Sequence, residues 1–228
     1  MAQGSNVPAV KADLVRMGKK VLLVEGRDDW HNLDHLLKAT TGTLPSYELG
    51  HCDNDDGVLD LLTGMTEASQ KTQTALGAIL DADEEIQARI RSLQGRLGKY
   101  YAIPADFPQE GLIVPPSGAL DGDRLPILGI WLMPDNQRGI FEDLLIAAMT
   151  PRSKEYVSGV VDQATIDGMT GFRKVERSKA IVKTHIAWQN PNMKNLGEAI
   201  GAYHFENLAP TCTAFLNWLA ALFGEAVE

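Results

Sequence analysis

The feature that most constrains the fold is "VLLV" at residues 21–24, an apolar run without alternation, which recurs in kind as "GAIL" (77–80) and "ILGIWLM" (127–133). A strand with one face in water alternates apolar and polar residues, so continuous runs of this kind belong to strands covered on both faces. Each is followed by a helical period. Trp30, Leu33, Leu36 and Leu37 form one apolar stripe over residues 28–39, and similar stripes follow over 83–98 and 139–149. A weaker strand over 46–52 and a helix capped by the acids and asparagine of 53–56 supply the remaining unit. Strand and helix therefore alternate four times. Each connection is long enough for a right-handed crossover, which predicts an α/β core with a doubly wound parallel sheet.

Beyond Pro151 the pattern turns to helices alone, over 152–168, 176–189 and 209–223, with "QNPN" and "LAP" as breaks. The expected organisation is an α/β core over residues 1–150 and an α-helical C-terminal extension over 151–228 packed on it. The passage from Pro104 to Pro126 reads as loop with an added strand near "GLIVP". The N-terminal lead lacks the apolar centre of a signal peptide, and no uncharged apolar run approaches the roughly 20 residues of a membrane span, so a soluble cytoplasmic protein is expected. Cys52 and Cys212 are too few and too isolated for a zinc ribbon or a disulfide framework and read as ordinary buried thiols.

A net charge of −9 and a pI near 5.0 argue against a sequence-independent nucleic-acid coat, which neutralises phosphates with an excess of Lys and Arg. Two strips run the other way. Residues 89–99 hold Arg89, Arg91, Arg96 and Lys99 without an acid, and 172–183 hold Arg173, Lys174, Arg177, Lys179 and Lys183 against Glu176. A polyanion substrate therefore stays compatible with the composition, above all if divalent cations offset the carboxylates.

In open parallel sheets, ligands bind beyond the carboxyl ends of the strands. Acids fall there repeatedly: Glu25 after the first strand, Asp81 and Asp83 after "GAIL", Asp135 after the last strand, and Glu142 in the first turn of the next helix. Hard oxygen donors from distant parts of the chain suit Mg²⁺ or Mn²⁺. Simpler roles compete at several positions. Asp83, Glu84 and Glu85 suit the start of a helix, which leaves Asp81 unexplained. Asp135 lies in the turn sequence "PDNQRG", and His31 and His35 share a polar helix face. Lys179 and Lys183 are one turn apart on a face that could equally be solvated, and Trp30, Trp131, Trp188 and Trp218 read as core.

"VEGRDD" at 24–29 followed by "LDADEE" at 80–85 resembles the Toprim domain shared by topoisomerases, primases and small nucleases. The longer layout, "LLVEGRDDWHNLDHLL", "LDADEE", "GIWLMPDNQRGIFEDLL" and "RSKAIVKTHIAWQ", resembles stand-alone Toprim-like proteins related to the nuclease halves of the overcoming-lysogenization-defect proteins. That resemblance implies Glu25 as metal ligand or general acid–base group, with Asp29 as the aspartate of the same motif. It further implies Asp81 and Asp83 as the D-x-D metal ligands, Glu142 as a ligand to a second metal and Lys179 as the late lysine. Glu85 stands where many Toprim proteins carry a third aspartate. The implied activity is a Mg²⁺- or Mn²⁺-dependent phosphodiesterase, a nuclease on DNA or RNA, with a separate ATPase or a second copy of the chain as candidate partners. The alternative is a non-catalytic subunit that regulates or tethers such an ATPase. The chain leaves little room for the further domains of a topoisomerase, and it has no zinc motif of a primase.

Overall fold

The computed structural model describes residues 19–42, 46–67, 73–117, 125–193, 195–202 and 204–224. The N-terminal lead and the acids at 121–123 lie outside the described residues. The α/β part runs β1 (Lys20–Val24), α1 (Arg27–Thr41), β2 (Glu48–His51), α2 (Asp55–Glu67), β3 (Ala75–Asp81), α3 (Ile86–Leu97), β4 (Leu112–Val114), β5 (Ile127–Met133) and α4 (Phe141–Ala147). The strands lie in the order β2-β1-β3-β5-β4, parallel except for β4, which pairs antiparallel with β5 at one edge. The core is thus the expected doubly wound α/β sheet, with the strand near "GLIVP" as its antiparallel edge.

Side chains that alternate along each strand explain why the runs are continuous. Leu22, Val24, Ile79, Trp131 and Met133 face α1, α4 and the C-terminal helices. Val21, Leu23, Leu76, Leu80, Ile130 and Leu132 face α2 and α3. Both faces are dry, and the apolar residues of the runs are buried except Ile127 at the start of β5.

The helical extension comprises α5 (Pro151–Ile166), α6 (Arg177–Gln189), α7 (Leu196–Gly201), α8 (Leu208–Thr211) and α9 (Thr213–Phe223). Its inward residues, among them Val161, Ile181, Phe215, Trp218, Leu222 and Phe223, belong to the same buried cluster as α1 and one face of the sheet. Two glycines make this contact close. Gly77 and Gly129 are register partners on β3 and β5, and a Cβ on Gly129 would lie 2.4 Å from Leu222 Cδ2. The bare strand surface is what lets α9 seat there.

Four details differ from the sequence reading. The helix expected over 209–223 is interrupted at Cys212, and α7 had no clear periodic signal. His35 is not on a free polar face, because Gly197 and Gly201 of α7 close over its ring. Trp30, Trp131 and Trp218 are core or near-core residues, but Trp188 is not. It is 50% exposed, with its ring 5.7 Å from that of exposed Tyr156 on α5. The inward stripe of α6 is Ile181, Val182, His185 and Ile186, which leaves Trp188 covered on one side only.

Candidate functional site

The chain steps from β1 out to β2 and then back across β1 to β3, so the carboxyl ends of β1 and β3 flank the point where the winding reverses, the usual ligand position in such sheets. Glu25 and Asp81 stand there. Glu25 Oε1 accepts a hydrogen bond from the Asp81 backbone N–H at 2.9 Å. Asp81 Oδ1 accepts from the N–H of Phe141, the first residue of α4, at 3.1 Å. Asp29, in the first turn of α1, accepts through Oδ2 from the Gly26 N–H at 2.9 Å. In each of these three acids a backbone donor fixes one carboxylate oxygen, and the other oxygen remains.

Glu25, Asp29 and Asp81 line one recess of about 20 Å³, floored by Val24, Leu33, Ile79, Met133 and Phe141. That is room for a single water or ion. Burial and mutual repulsion mark the electrostatics. Asp81 is pushed up to about 8, first by desolvation and then by the charges of Glu25, Asp29 and Glu142. Glu25, Asp29 and Glu142 are raised as well, in each case chiefly by burial. The Lys179 charge pulls Asp29 and Glu142 back down, and the lysine lines a cleft together with Glu142. Its position is tied to α4, because Ser178 Oγ donates to Asp143 Oδ1 at 2.6 Å while Asp143 Oδ2 accepts from the Ile140 N–H.

Asp83 departs from its expected partners. Its backbone forms two hydrogen bonds with Gly139, N–H to O at 2.8 Å and O to N–H at 3.0 Å, and its φ of 55° turns the chain there. The side chain is 62% exposed and reaches Arg89 Nη2 at 3.1 Å. The D-x-D pair is thus split, with Asp81 in the recess and Asp83 on a guanidinium. Glu84 pairs with Arg138, and Glu85 is the N-cap residue of α3. Asp135 stays in its turn, where Asn136 Oδ1 accepts from the Leu132 N–H at 2.8 Å.

Arg89 is the residue that sequence reasoning missed. Its side chain is 9% exposed and lies among Asp55, Asp83 and, at 3.6 Å, Glu25. Its Nε also donates to the Asp81 carbonyl at 3.1 Å. No local signal marked it: a helix read from residue 83 puts Arg89 in its second turn, and cations also stand in the first turns of α1, α5 and α6. A second overlooked group is His51, the register partner of Val24, whose Nδ1 is buried with no hydrogen-bond partner among the described residues.

The two basic strips differ from their sequence reading. Arg96 pairs with Asp56 and Asp60, and Lys99 with Glu67, so the α3 strip is largely neutralised by α2. In the second strip Arg173 and Arg177 are held by Glu176 and Asp162, whereas Lys179 and Lys183 line a cleft with Glu142.

A family model described as "Protein of unknown function (DUF3226)" matches residues 19–224. The chain belongs to that family. No curated protein and no solved structure matches it. The match spans the sheet and the helical extension together, so in this DUF3226 protein Lys179 and Lys183 belong to the same family unit as Glu25 and Asp81. Among the described residues no helix is long and apolar enough to cross a membrane.

The acids fit a divalent cation in their chemistry. They are hard oxygen donors, each of the three in the recess has an oxygen to spare, and they raise one another's proton affinity as carboxylates do when no cation separates them. Among the described residues no three His, Cys, Asp or Glu side chains are grouped tightly enough to form a finished cage.

Proposed function

We propose that this protein is a Mg²⁺- or Mn²⁺-dependent phosphodiesterase of the Toprim kind, a nuclease acting on DNA or RNA. The observation that carries the reading is that Glu25, Asp29 and Asp81 line one recess at the reversal point of the sheet, within reach of the charge of Glu142, while the charge of Lys179 acts on Asp29 and Glu142. Those four carboxylates would hold the metal, which supplies an activated water and charge neutralisation at the phosphate. Metal binding requires deprotonated ligands, so the proton that Asp81 retains up to about pH 8 is the one a cation displaces. In this reading Lys179, which lines a cleft with Glu142, stabilises negative charge that grows on a phosphoryl group. Glu25 is linked to the Asp81 backbone, which sets its orientation toward the recess.

The test is hydrolysis of single- and double-stranded DNA and RNA with Mg²⁺ or Mn²⁺, run beside Glu25→Gln and Asp81→Asn. Each variant is expected to lose at least about 100-fold in rate. Rates that match the wild type in both would sink the assignment.

A second reading, a non-catalytic subunit that regulates or tethers an ATPase, draws on one specific observation. Arg89 already supplies a cation to Glu25 and Asp83. Calorimetric titration with Mn²⁺ separates the two, because a chain that takes up no ion at millimolar concentration supports the subunit reading.

A further inference from the structure

A larger cavity, of about 280 Å³, opens beside the recess and is walled by α4, α6 and the segment leading into α7. Glu142, Lys179 and Lys183 form one end of it. The other end is apolar, made by Val182, Ile186, Met193 and Leu196, and is edged by Asn190 and Asn195. Glu142 and Lys179 line this cleft and not the recess, but their charges act on the acids there, Glu142 raising Asp81 and Lys179 lowering Asp29.

Its chemistry is divided in the way a nucleotide is divided. Lys179 and Lys183, one helical turn apart, present two ammonium groups on the same face of α6. They form no ion pair among the described residues, unlike Arg173 and Arg177 of the same strip. Two such groups suit a phosphate and its free oxygens. Ile186, Met193 and Leu196 offer an apolar surface for a flat ring, and a thioether is a good neighbour for an aromatic face. The side-chain oxygens of Asn190 and Asn195 are committed to the N–H groups of Asn192 and Glu198, at 3.0 and 2.8 Å, which turns their amide Nδ2 donors to other acceptors. Ring nitrogens and carbonyl oxygens on a base edge are acceptors of that kind. The volume lies near the lower end of the roughly 300–1,000 Å³ of small-ligand clefts, enough for one such unit and far too little for a duplex.

We propose that this cleft binds one nucleotide of an unpaired strand, with its phosphate on Lys179 and Lys183 and its base against Ile186, Met193 and Leu196. The proposal rests on the nucleic-acid reading above and adds that the preferred strand is single. Asn190 and Asn195 hold the base by its edge, so the site accepts any base that offers an acceptor there, and a paired base cannot enter.

The experiment is calorimetric titration of the full chain with the four nucleoside 5′-monophosphates in EDTA, with the parent nucleosides and inorganic phosphate as controls. Expected is measurable binding of the monophosphates that exceeds both controls. Lys183→Ala should weaken it about tenfold, the usual worth of one charge-assisted hydrogen bond, and Lys183→Arg should restore most of it. Ala187→Trp, which fills the cleft from an exposed position on its wall, should weaken it by at least as much, with far-UV circular dichroism confirming the fold. Absent binding in the wild type, or binding in Lys183→Ala and Ala187→Trp as tight as in the wild type, overturns the proposal. Failure of the hydrolytic reading looks different: nucleotides bind as described and no strand is cut. Conversely, if strands are cut but Ala187→Trp changes neither KM for a single-stranded oligonucleotide nor its preference over duplex, the cleft assignment falls and hydrolysis stands.

Discussion

The two basic strips look alike in sequence and behave oppositely in the fold. On α3 and just after it, Arg89, Arg96 and Lys99 meet Asp55, Asp56, Asp60 and Glu67 of α2, and most of the strip's positive charge is spent within the protein. In the second strip Arg177 at the start of α6 pairs with Asp162 of α5 and Arg173 with nearby Glu176, but Lys179 and Lys183 are left lining a cleft with Glu142. The lesson is that local charge density does not mark a polyanion surface; what matters is whether the neighbouring helix brings acids. In these two strips Arg89, Arg96 and Arg177 tie one helix to another, whereas Lys179 and Lys183 line a cleft.

The strongest way to break this comparison is Arg89→Met. The guanidinium is nearly buried, and its removal leaves Glu25 next to Asp55 and Asp83 with no cation between them. Because Asp55 and Asp83 are 41% and 62% exposed, solvent softens the penalty for them, and a loss of about 2–3 kcal/mol is expected. Lys179→Met, in the same assay of urea unfolding at pH 7, should change stability by less than about 0.5 kcal/mol. Similar losses in the two variants would erase the distinction between a cation that holds the fold and one that serves a ligand.

A second test compares acids with and without a cation. Asp55 is lowered by its hydrogen bond to and charge interaction with Arg89, although burial works against this, so its contribution is present at neutral pH and is lost as acid protonates it. Asp81 has the opposite sign. The folded protein keeps its proton up to about pH 8, whereas the unfolded chain releases it near the ordinary value of 3.8. Between those limits the native state binds more protons than the unfolded state, so stability falls as pH rises from about 4 to about 8. Asp81→Asn should flatten much of that slope and stabilise the protein at pH 8 by on the order of 2 kcal/mol. Thermal unfolding across this range checks it, and an Asp81→Asn curve with the wild-type slope would place the titration elsewhere.

Much of this was legible from the chain. The continuous apolar runs at 21–24, 77–80 and 127–133 read as strands covered on both faces, and Glu25 and Asp81 follow directly from where the first two end. What escaped depends on contacts between distant segments. Asp83 is two residues beyond Asp81, yet its backbone bridge to Gly139 turns it outward to Arg89, and nothing local encodes that. Trp188 lies at the margin of a helical stripe, and its cover depends on how far α5 reaches. The neutralisation of Arg96 and Lys99 needs α2 and α3 side by side, although the separate runs of acids and bases were each visible. The cleft exists only because α4, α6 and the lead into α7 converge. Arg89 escaped for the same reason, because its partners Asp55, Asp83 and Glu25 come from other segments.

The smallest effect sharpens the comparison within α3 itself. Arg96 reaches Asp56 at 3.3 Å and also pairs with Asp60, so by geometry it resembles Arg89. Its side chain is 43% exposed, and those of Asp56 and Asp60 are 71% and 66% exposed, so water already solvates all three charges. Pairs of this kind contribute at most about 1 kcal/mol and weaken as salt shortens the screening length. Arg96→Ala should therefore cost less than about 1 kcal/mol in urea unfolding, and a double-mutant cycle with Asp60→Ala should show a coupling that shrinks in high salt. The Arg89 penalty should persist in the same high-salt buffer, because a nearly buried guanidinium is poorly screened. A salt-insensitive Arg96, or a salt-sensitive Arg89, would show that exposure is not what divides structural from peripheral pairs along this helix.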